Sequence, residues 1–158
     1  MSFPASTSIA VIGVGSEFRR WGNAIAGSGA LSWEKISEVV SMTGPGLTRE
    51  MVPVTSLDST DLYREFKAGF RESGNVTLTL NFRRDTWDAL KADFEDDDEQ
   101  NYEIVLPDAE NTTLEFVGLV SEMPLTIPTD AVVAYDVTIK INGKVETESG
   151  SGSSYIIP

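Results

Sequence analysis

The chain has 158 residues, the size of one ordinary domain, and its 12 Lys and Arg against 25 Asp and Glu leave a net charge of −13 at pH 7. Too few basic side chains are present to displace counterions from phosphates or to hold an anionic membrane, so non-specific nucleic-acid binding and membrane association are disfavoured. With no Cys and no His, Ser-His-Asp and Cys-His catalysis, zinc sites built on those ligands, disulfide frameworks and redox dithiols are excluded.

The start of the chain, Met1-Ser2-Phe3-Pro4, lacks a basic region followed by a long apolar run, so a cytoplasmic product without a secretory signal is expected. The apolar run through residues 8–14 predicts a first strand. It ends at Gly13-Val14-Gly15-Ser16-Glu17-Phe18, which begins like a dinucleotide-binding turn but carries Phe18 where the third glycine belongs, so a glycine turn is the expectation. Trp21 and Trp33 lie in a Gly-, Ala- and Ser-rich stretch of no clear period. A strand is predicted over 35–42, a turn at Gly44-Pro45-Gly46, and a further strand over 50–55.

Residues 56–74 carry no strong structural pattern, and a segment of that length inside a compact domain is usually functional or disordered. Its composition is not that of disorder. Leu62, Tyr63, Phe66 and Phe70 stand among Arg64, Lys67 and Arg71, an apolar set with nothing in the segment to bury it, as at an interface that orders on assembly. With Asp61 as a cap, Leu62, Phe66 and Phe70 recur every four residues and predict a short helical turn bearing an apolar stripe.

The clearest signal follows. Val76, Leu78, Leu80 and Phe82 alternate with Thr77, Thr79 and Asn81, and late in the chain Val133, Tyr135, Val137, Ile139 and Ile141 alternate with Ala134, Asp136, Thr138 and Lys140 before the turn pair Asn142-Gly143. Each is a strand with one buried and one wet face. Between them Asp85 can cap a short helix over 86–95, with Trp87, Leu90 and Phe94 on the face toward the core. Strands are also predicted over 102–106 and 113–120, joined through Pro107-Asp108-Ala109-Glu110-Asn111. One helix among strands with hairpin-length connections argues for a mainly β protein, an antiparallel β-sandwich or barrel. Residues 1–145 form the domain in this reading, and 146–158 a flexible Gly- and Ser-rich tail.

Charge is uneven in one place. Residues 85–110 hold eleven acids and one base, Lys91, so this window carries −10 of the −13, whereas over 61–84 bases lead by five to three. The two segments are able to pair across subunits. The acids over 93–99 do not follow the spacing of an EF-hand, since Asp98 and Ile104 stand where Gly and Glu are required, and no specific metal or other cofactor is expected. The sequons at Asn75 and Asn111 match by composition only, and nothing selects a catalytic carboxylate pair among 25 acids, so no enzyme is expected.

The order of these parts resembles the lambda-like tail tube proteins of long-tailed bacteriophages. It lies in Gly44-Pro45-Gly46 entering Arg49-Glu50-Met51-Val52-Pro53-Val54-Thr55, then Ser56-Leu57-Asp58-Ser59, the long loop and Gly74-Asn75-Val76-Thr77-Leu78-Thr79-Leu80-Asn81-Phe82. It continues through Trp87-Asp88-Ala89-Leu90, Tyr102-Glu103-Ile104-Val105-Leu106 and Leu114-Glu115-Phe116-Val117-Gly118-Leu119-Val120 to the last alternating strand, covering about residues 35–145. The resemblance implies subunits joined as six-membered rings, inner strands continuing round the ring as one barrel, and rings stacked into a tube. It implies as partners the tape measure protein, tail tip and terminator proteins, and genomic DNA passing through without tight binding. The location implied is the virion tail, with the host cytoplasm during assembly. Some relatives carry an extra immunoglobulin-like domain, for which this chain is expected to be too short.

On that basis Leu62, Tyr63, Arg64, Phe66, Lys67, Phe70 and Arg71 are the candidates for contact between rings. Thr77, Thr79, Asn81, Asp136, Thr138 and Lys140 are the candidates for the lumen, with an acid expected beside Lys140. Two alternatives remain at this point: another tail ring component, such as a terminator or baseplate hub subunit, and a carbohydrate-binding β-sandwich.

Overall fold

The structure is a computed structural model and describes residues 13–23, 25, 29–56 and 62–149. Its strands are β1 (Glu17–Gly22), β2 (Ser32–Ile36), β3 (Val39–Thr43), β4 (Thr48–Pro53), β5 (Phe66–Glu72), β6 (Asn75–Asn81), β7 (Gln100–Val105), β8 (Thr113–Glu122), β9 (Leu125–Thr126), β10 (Ala134–Ile141) and β11 (Glu146–Glu148). The single helix among the described residues, α1 (Arg84–Glu95), lies between β6 and β7. The molecule is mainly β and antiparallel, as its periodicities require.

Nine strands form one sheet whose path runs β2-β1-β7-β8-β10-β6-β3, with β9 beside β10 and β11 beside β8. The two end strands, β2 and β3, are consecutive in the chain. Laid flat, the path from β2 to β3 would measure roughly 29 Å at about 4.8 Å per strand. Ile36 and Val39 are joined by Ser37 and Glu38 alone, a span of at most about 11 Å. The sheet must therefore roll until its ends approach, and Glu38 turns the corner with φ 64° while its carbonyl accepts the Asn81 amide.

Rolling puts two layers face to face. Val76, Leu78 and Leu80 of β6 and Tyr135, Val137, Ile139 and Ile141 of β10 meet Phe18, Ile36, Tyr102, Ile104 and Phe116 in one core. The Phe18 and Tyr102 rings stack at 5.6 Å, and Phe116 lies 5.9 Å from Tyr102. β8 serves both layers: residues 113–118 pair with β7 and 118–122 with β10. The change of layer falls at Gly118, where a Cβ would stand 2.7 Å from the Lys140 carbonyl oxygen, closer than side chains tolerate.

Several sequence expectations need correction. The single strand over 35–42 is two strands, broken at the Glu38 corner. Trp21 and Trp33 have a defined place, opposite each other on β1 and β2 with rings 5.3 Å apart. Helix α1 begins at Arg84; Arg83 occupies the cap position without a side-chain bond, and Asp85 pairs with Arg83 at 2.8 Å. Residues 146–148, assigned by composition to the tail, form β11 on β8 because the start of β8, paired with β7 on one side, offers them a ladder on the other. The predicted strand over 8–14 lies mostly outside the described residues, as do Asp61 and residues 150–158; residues 13–15 are turn.

Candidate assembly surfaces

Three groups of residues bear on function. The first is the outer face of the β6–β10 pair. Register sets Asp136 opposite Thr79 and Thr138 opposite Thr77, while Lys140 faces Asn75 and Asn81 faces Ala134. β3 adds Ser41 beside Thr79 and Thr43 beside Thr77. The six sequence candidates thus share one hydroxyl-rich face whose apolar partners fill the core. Its one cation is neutralised within the chain, and its one anion is hydrogen-bonded. The Thr79 hydroxyl donates to Asp136 Oδ1 at 2.8 Å, and Lys140 Nζ is paired with Glu72, the adjacent acid, which comes from β5.

The second group is an arm. β4 and β5 pair only with each other, and every residue of both except Gly69 is exposed. Beyond β4 the Val54 amide donates to the Glu65 carbonyl at 2.9 Å and the Glu65 amide donates to Thr55 Oγ1 at 2.8 Å, closing the tip. Leu62, Tyr63 and Arg64 sit at that tip, and Phe66, Lys67, Phe70 and Arg71 lie on β5. Among the described residues the helical stripe does not continue past Leu62, because residues 66–72 are strand. Residues 66–72 are strand because β4 offers a ladder, and a bulge between Ala68 and Arg71 breaks the alternation that would otherwise put Phe66 and Phe70 on one face. The sequence reading gave a strand over 50–55 without singling out its side chains, so it missed Leu47, Met51, Val52 and Val54, all exposed on the arm. A cleft of about 750 Å³ separates the base of the arm from the turn after β10, lined by Leu47, Arg49, Arg71, Lys144 and Val145 among others.

The third group is buried and polar. Arg20 of β1 is bidentate to Asp93 of α1, at 3.0 and 2.5 Å, and its Nη1 donates to Glu34 at 3.0 Å; Tyr102 adds a hydroxyl to Asp93 at 3.1 Å. This pins the helix to the sheet. Leu90 sits in the core and Trp87 packs against it, but Phe94 is 49% exposed, contrary to expectation. Positions 93 and 94 both suit a stripe through 86, 89 and 90, and the waiting guanidinium draws Asp93 inward. Glu103 and Glu115, directly opposite on β7 and β8, are buried as well. Arg19 reaches Glu103 at 3.2 Å, whereas Glu115 has acids around it, with Glu146 opposite on β11. Burial, reinforced by Glu148, Glu103 and Glu146, pushes the Glu115 carboxyl up to about 7.

Among the described residues no cluster of His, Cys, Asp or Glu is arranged to hold a metal, and no helix is long and apolar enough to cross a membrane.

The family described as "Lambda phage tail tube protein, TTP" matches residues 20–148. No curated protein matches the chain in sequence. Solved structures share its fold. The tail of an empty gene transfer agent particle, refined with C6 symmetry, is similar over 89% of this chain and 100% of its own, with a TM-score of 0.71 and 18% identity. The SPP1 tail tube is similar over 89% of this chain and 80% of its own, with a TM-score of 0.68 and 10% identity. The tube-terminating cap of the anti-feeding prophage is similar over 94% of this chain and 97% of its own, with a TM-score of 0.68 and 9% identity. With the family pattern spanning β1 to β11, and with polar face, rolled sheet and arm all inside the matched residues, the chain belongs to the lambda phage tail tube protein family and is a structural protein of the tail tube, not an enzyme.

Proposed function

We propose that copies of this chain close into hexameric rings, that the rings stack into a tube, and that the tube's channel conducts the genome into the host. The arm carries this reading. A two-stranded ribbon is marginal by itself in water, and one exposing this many large apolar side chains finds its missing layer on another copy. Support for closure comes from strand edges: β3 has a strand neighbour on one side only among the described residues, and the end of β8 runs past the start of β7. Pairing such edges between subunits protects them and continues the polar β3-β6-β10-β8 face round a ring as one barrel. Thr77, Thr79, Asn81, Asp136, Thr138 and Lys140 then line the lumen, a hydroxyl surface whose one cation is already paired and which offers phosphates little to hold.

The tape measure protein would occupy the channel during assembly in the host cytoplasm, and tail tip and terminator proteins would close its ends in the virion. Arg64, Lys67 and Arg71 meet acids of another subunit, such as Glu95 and Asp96 to Glu99, contributing orientation more than affinity. The likeness to a tube-terminating cap favours one second reading, a single terminal ring. Negative-stain microscopy of the purified protein at rising concentration distinguishes them. Tubes of uniform diameter are expected; closed single rings at every concentration would support the second reading, and monomer alone up to millimolar protein would dismiss both.

A further inference from the structure

One row of ionisable side chains crosses five neighbouring strands. Register sets Lys35 of β2 opposite Arg19 of β1, Arg19 opposite Glu103 of β7, Glu103 opposite Glu115 of β8, and Glu115 opposite Glu146 of β11. Residues directly opposite share a face, so the row runs from two bases into three acids, and like charges so placed destabilise a sheet. Both bases are engaged before the row reaches Glu115. Lys35 holds Glu17 at 2.9 Å, while Arg19 holds Glu17 at 2.7 Å and Glu103 at 3.2 Å. At the far end Lys144 reaches Glu146 at 3.3 Å.

Glu115 is 1% exposed, and its Oε1 has no hydrogen-bond partner among the described residues; the same holds for Oε2 of the fully buried Glu103. Two carboxyl groups facing each other out of water resist ionising together, and a proton on one of them removes the repulsion. β11 adds acids from the third side. It is three residues long, with Glu146 half-buried and Glu148 exposed, and both bear on Glu115. Apart from Val145, which packs against the core just before it, the strand is held by its ladder to β8. An edge element with so few apolar contacts is among the first to open in a folded domain.

We propose that β11 is a strap held by a proton: it stays paired to β8 while Glu115 is protonated and lets go when Glu115 ionises, baring the start of β8 as a strand edge. The strap belongs to the single chain and works whether or not the chain assembles. With β11 in place, burial together with Glu148, Glu103 and Glu146 pushes the Glu115 carboxyl up to about 7. When β11 leaves, Glu146 and Glu148 leave with it and water reaches the carboxyl from the freed edge, so the proton is lost at a more ordinary carboxylate pH. The docked form therefore binds more protons, and rising pH favours release. If release restores the ordinary value of 4.5, the equilibrium shifts by at most about 300-fold from the acid to the alkaline side.

Amide hydrogen exchange of the full chain at low micromolar concentration tests it, with wild type and Glu115→Gln compared at the same pH so that the chemical exchange rate cancels. At residues 146–148 the two proteins should exchange within a few-fold of each other near about pH 5, whereas near about pH 8 the wild type should be faster by up to about 300-fold. The amides of β10, at the centre of the core, should stay slower than those of β11 in both proteins. A second variant, Glu146→Gln with Glu148→Gln, changes only side chains outside the core and should lower the wild-type excess at the alkaline pH. Equal rates at residues 146–148 near about pH 8 in wild type and both variants would overturn the proposal. So would an opening at that pH in which β10 exchanges as fast as β11, since Glu115 would then act on the whole fold and not on a strap.

Discussion

Gly74 joins the arm to the sheet with φ 71°, and a Cβ there would lie 2.8 Å from the Gly46 carbonyl oxygen, so the two strands of the neck touch backbone to backbone. Gly74→Ala should cost about 1–2 kcal/mol for the left-handed conformation alone, with more from the clash. The checks are a lowered Tm and poorer tube formation. Asp93→Ala would leave the Arg20 guanidinium buried with Glu34 as its remaining acid in the clamp, a loss of about 3–5 kcal/mol by chemical denaturation. Glu115 bears on pH. Its carboxyl titrates near 7 when folded against 4.5 for the free group, so the unfolded chain releases the proton first as pH rises. Stability from this group is full below about pH 4.5, drains away up to about pH 7 and is flat above. Glu103, also raised by burial despite Arg19, acts in the same direction. Glu17, lowered chiefly by Lys35 and Arg19, adds stability that falls away only under more acidic conditions. Glu115→Gln should therefore match the wild-type Tm near about pH 5 and exceed it near about pH 8; parallel curves would contradict the assignment. On the helix, Trp87 and Leu90 were readable from spacing. Asp93 was not, because its partner Arg20 is 73 positions away.

At the scale of elements, the arm and the sheet are separable. β4 and β5 contribute nothing to the main core, and their ends meet at Gly46 and Gly74. Replacing residues 47–72 with a short Gly/Ser linker should leave the Tm of the sheet nearly unchanged, because no arm residue belongs to the core. It should also abolish tubes, as read by denaturation and microscopy. A shortened protein that still polymerised normally would place the stacking surface elsewhere. The strands β6, β7, β8 and β10 were legible to within a few residues because alternation is local. β11 was not, since Glu146, Thr147 and Glu148 carry no strand pattern and are held by the edge that β8 presents.

At the scale of the whole molecule, acidity and a polar face whose one cation is paired act together. Under the proposed function, a channel that passes a genome gains from not gripping it, and a net charge of −13 leaves few counterions to release. Fluorescence anisotropy with duplex DNA at physiological salt should show binding weaker than roughly 10⁻⁴ M, the upper end for ordinary non-specific association. Tight binding with a steep salt slope would contradict the lumen assignment.

What the amino-acid sequence determined by itself was periodic and compositional. It set which side of β6 and β10 is wet, that one short helix interrupts an antiparallel β protein, and that neither thiol nor imidazole chemistry is present. The ordered set of motifs carried the family resemblance as well. Tertiary structure alone decided which apolar strands stay bare. Phe66 and Phe70 on β5 are as apolar as residues of the core, yet no second layer covers them. It also decided that β2 and β3 part at Glu38, that β8 changes layer at Gly118, and that Asp93 turns inward while Phe94 does not. The reason is physical: a side chain's direction follows from its neighbours along the chain, whereas its burial depends on what distant segments bring to that face.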